Sequence, residues 1–344
     1  SMTDLANGRR LVQMHGKNLR WCQPWKAWIV WDGRRWKVDQ TLEVERMATA
    51  VSDWLWEEMR KIGKDVSDQL FQKVSQFVKH SSNRTPVEKM LATARGLVEC
   101  KISPDEFDRN PMLLNVANGT IDLENGELKP HEQTDMITQL APTMFDPSAT
   151  CPEWEQFLLS TFGSAELVEY VQRLCGYWVT GVVREQFLPI LWGAGSNGKT
   201  TFLNAIMEVL GSDYAMKAPS DFLMVKKERH LTEKADLFGK RLVVCSETSE
   251  GRPIDEALMK EITGNEPLRV RRLYENLWEF RPTHKIALVT NHMPSIRGTD
   301  HGVWRRIRKV SFAHQFWNPD LGETGEAHLI QDKTLGDRLK AEYS

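Results

Sequence analysis

The sequence predicts an α/β fold, a parallel-sheet core that carries a phosphate-binding loop, preceded by a smaller α+β domain. Three observations predict it. Residues 187–192, Phe-Leu-Pro-Ile-Leu-Trp, form an apolar strand that runs into Gly193-Ala-Gly-Ser-Asn-Gly-Lys-Thr200 and then a helical segment, the order a phosphate loop requires. Beyond it, strand and helix patterns alternate, as they do when crossover helices cover a parallel sheet. Upstream, residues 41–98 have helical spacing of apolar positions, flanked by short strand-and-turn patterns.

Taken in order, residues 1–38 hold five tryptophans, and Ala27–Val38 reads as a hairpin turned at Asp32-Gly33. Two or three helices are expected over 41–98. Asn118-Gly119 and Asn125-Gly126 bracket a short strand, and 145–152 is the best linker candidate. Helices near 153–162 and 165–179 precede the loop. After it come a helix at 198–210, strands near 214–218 and at 241–246, a helix at 254–263, a hairpin at 268–281 and a strand at 285–290. The expected domains are therefore 1–150, 151–312 and a C-terminal extension, 313–344, that reads as a helix cut short, as if the chain normally continued. The Ser1-Met2 opening resembles the remnant of a cleaved tag.

A chain of 344 residues is long enough for two cores. No apolar run approaches membrane-spanning length and no signal pattern opens the sequence, so no membrane partner is expected. The five cysteines lie more than twenty residues apart, which argues against a zinc site or disulfide framework and favours a reducing, cytoplasmic setting. Net charge is −2, yet residues 266–312 hold ten Lys/Arg against four Asp/Glu, and residues 1–38 eight against two. A localised polyanion-binding surface or a solvated face would each account for that. The N-terminal tryptophans could stack on single strands, but their strand-like alternation favours packing within the small domain. His80, His230, His292 and His301 show no pairing that suggests a metal or a base.

The chemistry follows from the loop. Gly193, Ala194, Gly195, Ser196, Asn197, Gly198, Lys199, Thr200 and Thr201 form a candidate nucleoside triphosphate site: glycines let backbone N–H groups turn inward, and the helix start adds its positive dipole end. Lys199 can reach the β- and γ-phosphates, and the Thr200 hydroxyl can ligate Mg²⁺. Glu247, at the end of the 241–246 strand, is the candidate for orienting or deprotonating the attacking water, with Glu250 as a substitute. Asn291, ending the next buried strand, could bond the γ-phosphate and the lytic water, or simply form a turn. The basic cluster Trp304-Arg-Arg-Ile-Arg-Lys309 could offer a guanidinium to a neighbouring subunit's phosphate.

Together these motifs resemble the superfamily 3 helicases, specifically the poxvirus-type primase–helicase family found in phages and plasmids. The similarity is carried by Cys151-Pro-Glu-Trp154, the loop at 193–200, Arg241–Glu247, Leu258–Gly264, Arg269–Tyr274, Phe280–Thr283, Thr290–Pro294 and Trp304–Arg306, in that order. Weaker similarity upstream lies at 4–10, 31–36 and 115–123. The resemblance implies an AAA+-like core, a ring (a homo-hexamer) that moves on single-stranded or forked DNA, and ATP with Mg²⁺ as its fuel. It also implies an N-terminal collar, a primase domain or protein as partner, and, for a phage or plasmid gene, the bacterial host cytoplasm. By position it makes Lys199 and Thr200 the phosphate and Mg²⁺ residues, Glu247 the catalytic acid and second metal contact, and Asn291 the sensor. Arg305 or Arg306 would be the finger acting on the adjacent subunit. The 268–281 hairpin matches the channel loop, giving Arg269, Arg271, Arg272, Tyr274 and Asn276 as DNA contacts. Two features depart from the pattern: Ser246 stands where many relatives have a second acid, and the hairpin tip lacks a Lys-His pair. An ATP-driven origin remodeller without processive unwinding, and a nucleotide-stabilised DNA-binding scaffold, are the alternative readings.

Overall fold

Thr3 accepts the Ala6 N–H at 3.2 Å and so caps the first helix, α1 (Asp4–His15). The computed structural model describes residues 2–62, 66–226, 231–246, 252–273, 276–296, 298 and 300–343, with the side chain of residue 231 excepted. The chain divides into two compact units after Phe107. The boundary expected near 150 therefore falls inside the second unit.

The first unit continues with β1 (Leu19–Cys22), β2 (Ala27–Trp31), β3 (Trp36–Val38), α2 (Glu43–Ile62), α3 (Asp68–Ser81), α4 (Arg84–Gly96) and β4 (Lys101–Ile102). Its sheet runs β3-β2-β1-β4, and the β2–β3 turn is held by Asp32 Oδ1, which accepts the Arg34 and Arg35 N–H groups at 2.9 Å. Three helices fill the 41–98 stretch, as its spacing predicts. The apolar faces of α2 and α4, with Val44, Ala48, Val51 and Met90, pack against Leu19, Trp21, Trp28 and Val30, while Val78 of α3 packs against Leu55 and Met59 of α2. Trp36 is also fully buried. Three of the five early tryptophans thus serve the core, and Trp25 and Trp31 are half-buried.

The second unit opens with a meander, β5 (Leu113–Val116), β6 (Gly119–Asp122) and β7 (Glu127–Lys129), then α5 (Pro152–Phe162) and α6 (Ala165–Val179). Next come β8 (Leu188–Trp192), α7 (Lys199–Tyr214), β9 (Ala215–Lys217), α8 (Leu231–Ala235), β10 (Leu242–Ser246) and α9 (Glu256–Ile262). The hairpin β11 (Leu268–Val270) and β12 (Trp278–Phe280) precedes β13 (Lys285–Thr290), α10 (His301–Trp304), β14 (Ile307–Ser311) and α11 (Leu335–Tyr343). Five strands form one sheet in the order β14-β8-β13-β10-β9, each pairing parallel. The inner strands are buried on both faces, which is why they read as unbroken apolar runs. The result is an α/β arrangement built on a five-stranded parallel sheet.

Two elements differ from the sequence reading. Residues 307–311, seen only as part of a basic cluster, are the edge strand β14; Arg308 and Lys309 are exposed, and Val310 is the buried member. The 313–344 segment is an integral wall of this unit. Leu339 is buried, and the Glu342 carboxylate accepts the Glu153 and Trp154 N–H groups at 2.8 and 3.1 Å. It thereby caps α5, whose own N-cap residue, Cys151, makes no side-chain cap bond.

Candidate nucleotide site

The loop starts where β8 ends, between its neighbours β13 and β14. Gly195 has φ +117°, Ser196 +49° and Gly198 +79°. Successive left-handed residues turn backbone N–H groups toward one concavity, an anion nest. Gly198 N-caps the sixteen-residue α7 without a side-chain cap, which leaves the helix's first N–H groups for a ligand. Asn197 holds this shape from within: its Oδ1 accepts the Gly195 N–H at 2.6 Å, and its Nδ2 donates to the His314 carbonyl at 2.9 Å. The Phe316 N–H donates to the Ser196 carbonyl at 2.7 Å, so the segment after β14 fastens the loop from outside.

Lys199 is buried, and its Nζ donates to the Gly193 carbonyl at 2.6 Å and lies 3.4 Å from Asn197 Oδ1. Burial lowers its pKa from the ordinary lysine value. A cation held out of water by one carbonyl and one amide oxygen gains most from an anion, so the group suits a phosphate. Residues 195–201 line a cavity of about 600 Å³ together with Asn291, the α5 residues Glu153, Gln156, Phe157 and Ser160, and the C-terminal segment. Gly193 supplies the carbonyl under Lys199, and Ala194 begins the turn. The exposed Thr200 lines the cavity, where its hydroxyl is a hard oxygen donor of the kind Mg²⁺ accepts.

Asn291 follows β13, whose Thr290 pairs with Trp192, and the Gly193 N–H reaches the Thr290 carbonyl. The sheet register therefore brings Asn291 beside the loop from a hundred residues away. β10 is the next strand, and its last residue, Ser246, pairs with Val289. Glu247 and its substitute Glu250 lie outside the described residues, as does Tyr274.

Arg305 and Arg306 stand elsewhere. They precede β14, whose Ile307 pairs with Leu188 at the start of β8, and Leu188 N–H donates to the Arg306 carbonyl at 2.6 Å. Both guanidinium groups turn to Gln186 Oε1, at 3.1 and 3.5 Å, and Arg306 also donates to the Gly302 carbonyl. A five-residue strand separates them from the loop, about 15 Å at the usual rise. Neither lines the cavity. Arg269 and Arg271 are exposed on the β11–β12 hairpin, Arg272 is half-buried and Asn276 is exposed.

Sequence reasoning missed the C-terminal contribution. Phe316, Ile330, Leu335 and Arg338 line the cavity, and Arg338 bridges Glu153 at 3.0 Å and Asp332 at 2.6 Å. The one local signal was the helical pattern after residue 333, which says nothing of where the helix docks.

A family described as D5 N terminal like matches residues 8–163, and a family of unknown function matches residues 191–306. A provisionally named helicase of Acanthamoeba polyphaga mimivirus, L207/L206, is 27% identical over 219 residues, covering 61% of this chain and 22% of the relative. A provisionally named primase of African swine fever virus, C962R, is 30% identical over 236 residues, covering 64% and 24%. A provisionally named helicase of Frog virus 3, 022R, is 23% identical over 255 residues, covering 72% and 24%. The chain thus spans about a quarter of the length of these curated relatives. Among solved structures, the apo C-terminal region of NrS-1 superposes with a TM-score of 0.55 at 12% identity, over 94% of this chain and 64% of that one. The phosphate loop, the sheet order and these relatives agree in making the chain similar to the poxvirus-type primase–helicase family.

Proposed function

We propose that the chain is the ATP-hydrolysing portion of a replicative DNA helicase that works as a ring, most simply a hexamer, with each nucleotide held at a subunit interface. The observation that carries this reading is the separation of Lys199 from Arg305 and Arg306 by the length of β8. The phosphate cradle and the arginine pair lie a strand's length apart within one chain, which supports a second copy bringing the arginines. Helicase names among the relatives support the activity.

In this reading the nest at 195–198 and the α7 N-terminus bind the phosphates, and Lys199 exchanges the Gly193 carbonyl for them. Mg²⁺, held by the Thr200 hydroxyl and Glu247, would supply further charge neutralisation. Glu247 orients or deprotonates the attacking water, and Asn291 senses the γ-phosphate. Arg305 or Arg306 of the adjacent subunit stabilises the transition-state charge, an effect worth about 10³–10⁵ in rate. The exposed hairpin arginines grip the DNA backbone without reading bases, so hydrolysis drives the strand along.

Mixing tests it. Lys199→Ala alone and Arg305→Ala/Arg306→Ala alone should each be inactive, while a mixture should regain DNA-stimulated ATP turnover, because some interfaces then pair an intact cradle with an intact arginine. A mixture as dead as its parts overturns the shared site. Strand displacement by the wild type separates a helicase from an origin remodeller, and DNA-stimulated ATP turnover separates both from a scaffold.

A further inference from the structure

The cavity is larger than a triphosphate requires, and its far wall is built by residues 316–338, beyond the end of both family matches. That wall is anchored at each end. Phe316 is fastened to the loop through Ser196. Trp317 bridges to Ile330, its N–H donating to the Leu329 carbonyl and its carbonyl accepting the Gln331 N–H, at 2.9 and 2.8 Å. Arg338 then ties the segment to α5 through Glu153 and to its own Asp332. Within this frame Phe157, Phe316, Ile330 and Leu335 present apolar surface to the cavity, and Ile330 keeps 45% of its surface exposed. A large aliphatic side chain left open in a cavity that aromatic rings and an anion nest also line matches a planar base attached to a phosphate chain. Gln331, also on the wall, offers an amide donor and acceptor side by side, the pair that reads the edge of a purine.

We propose that the 316–338 segment forms the nucleobase half of the nucleotide site, taking a purine against Phe316, Ile330 and Leu335 with its edge facing Gln331. The inference rests on the 193–200 loop being the triphosphate cradle, and the two can fail separately. The test is calorimetric titration of the whole chain with Mg-ATP, Mg-GTP, Mg-CTP and inorganic tripolyphosphate. Phe316→Ala should weaken ATP binding about tenfold, the loss expected for one stacking partner, and leave tripolyphosphate binding unchanged. Ile330→Ser, a change at an exposed position that spares folding, should act in the same direction. Gln331→Ala should narrow the preference for ATP over CTP. Lys199→Ala should weaken both ATP and tripolyphosphate. ATP affinity within twofold of wild type in both Phe316→Ala and Ile330→Ser overturns the base site while leaving the cradle intact. Wild-type protein that binds neither ATP nor tripolyphosphate overturns the cradle and the base site with it.

Discussion

Three cations in the second unit are almost equally hidden from water: Lys199 is 7% exposed, and Arg241 and Lys285 are 5% exposed. They sit at opposite ends of the same sheet and do different work. Arg241 and Lys285 flank the amino ends of the adjacent strands β10 and β13. The Arg241 guanidinium donates to the carbonyls of Pro111 and Val179, at 3.0 and 2.7 Å, and to that of Leu113. Lys285 donates to the carbonyls of Thr180 and Thr283. Val179 and Thr180 end α6, so both cations satisfy carbonyls that a helix leaves unpaired and meet its negative dipole end. Lys199, at the carboxyl end, has one carbonyl and a distant amide oxygen. Burial depresses all three pKa values, and for Lys285 the charge of Arg241 lowers it further. Burial and titration therefore do not separate a structural cation from a functional one. What lies open to the charge does: Arg241 is saturated by three carbonyls and Lys285 by two carbonyls and the Tyr177 ring, whereas Lys199, with one carbonyl, an amide oxygen at 3.4 Å and a cavity before it, is left unsaturated.

The largest effect should come from the unsaturated member. Lys199→Ala should abolish ATP turnover and weaken ATP binding about a hundredfold, as loss of charged hydrogen bonds implies, with the melting temperature unchanged or raised because a desolvated charge is gone. A marked loss of stability would erase the contrast with Arg241. Next, Arg305→Ala/Arg306→Ala should lower kcat about 10³-fold or more and leave the ATP dissociation constant unchanged, since neither side chain reaches the cavity of its own subunit.

The saturated cations should show the reverse. Arg241→Met strips the Pro111, Leu113 and Val179 carbonyls of their guanidinium donor and should cost about 3 kcal/mol in denaturant unfolding, with nucleotide affinity retained. Their neighbour His284 adds a pH test. It is fully buried with Nε2 3.1 Å from the Ile262 carbonyl, and burial pushes its pKa down to about 4. Between pH 6.5 and about 4 the unfolded chain binds the proton and the folded chain does not, so stability is full above 6.5 and falls as the pH drops through that window. The loss should reach about 3 kcal/mol at pH 4, and unfolding curves of His284→Leu should lack that component.

The contrast also explains what the sequence could and could not tell. The phosphate loop was legible because its backbone conformation dictates residue type locally: left-handed φ values at Gly195 and Gly198 demand glycine where they stand. The inner strands were legible because burial on both faces leaves no polar positions. β14 was not, because an edge strand may point Arg308 and Lys309 outward and reads like any basic surface. The base-side wall was illegible for another reason: Phe316 meets Ser196, Arg338 meets Glu153, and Glu342 caps α5, all across more than a hundred residues of chain. No window of sequence contains both partners. Arg241 and Lys285 were quoted within motifs, yet nothing nearby showed that carbonyls of residues 111, 113 and 179–180 would surround them.

The hairpin gives the smallest and sharpest extension of the same idea. Arg269 and Arg271 are exposed on the hairpin and Arg272 is half-buried, so the same idea proposes them as ligand-facing cations, this time on the surface. Removing them should cost the fold little, within about 0.5 kcal/mol each. If the ligand is a nucleic-acid backbone, each Arg→Ala change should reduce the salt dependence of single-stranded DNA binding by about one unit in the slope of log affinity against log salt. Sequence preference should not move, because phosphate contacts carry none. Arg269 and Arg271, being exposed, should show the full effect. Arg272 is half-buried, and its charge lies near Lys240, so it should show less. Equal slopes for wild type and the Arg269→Ala/Arg271→Ala protein would mean that an exposed cation on this hairpin answers to something other than DNA, and exposure would then mark a ligand-facing charge without identifying its ligand.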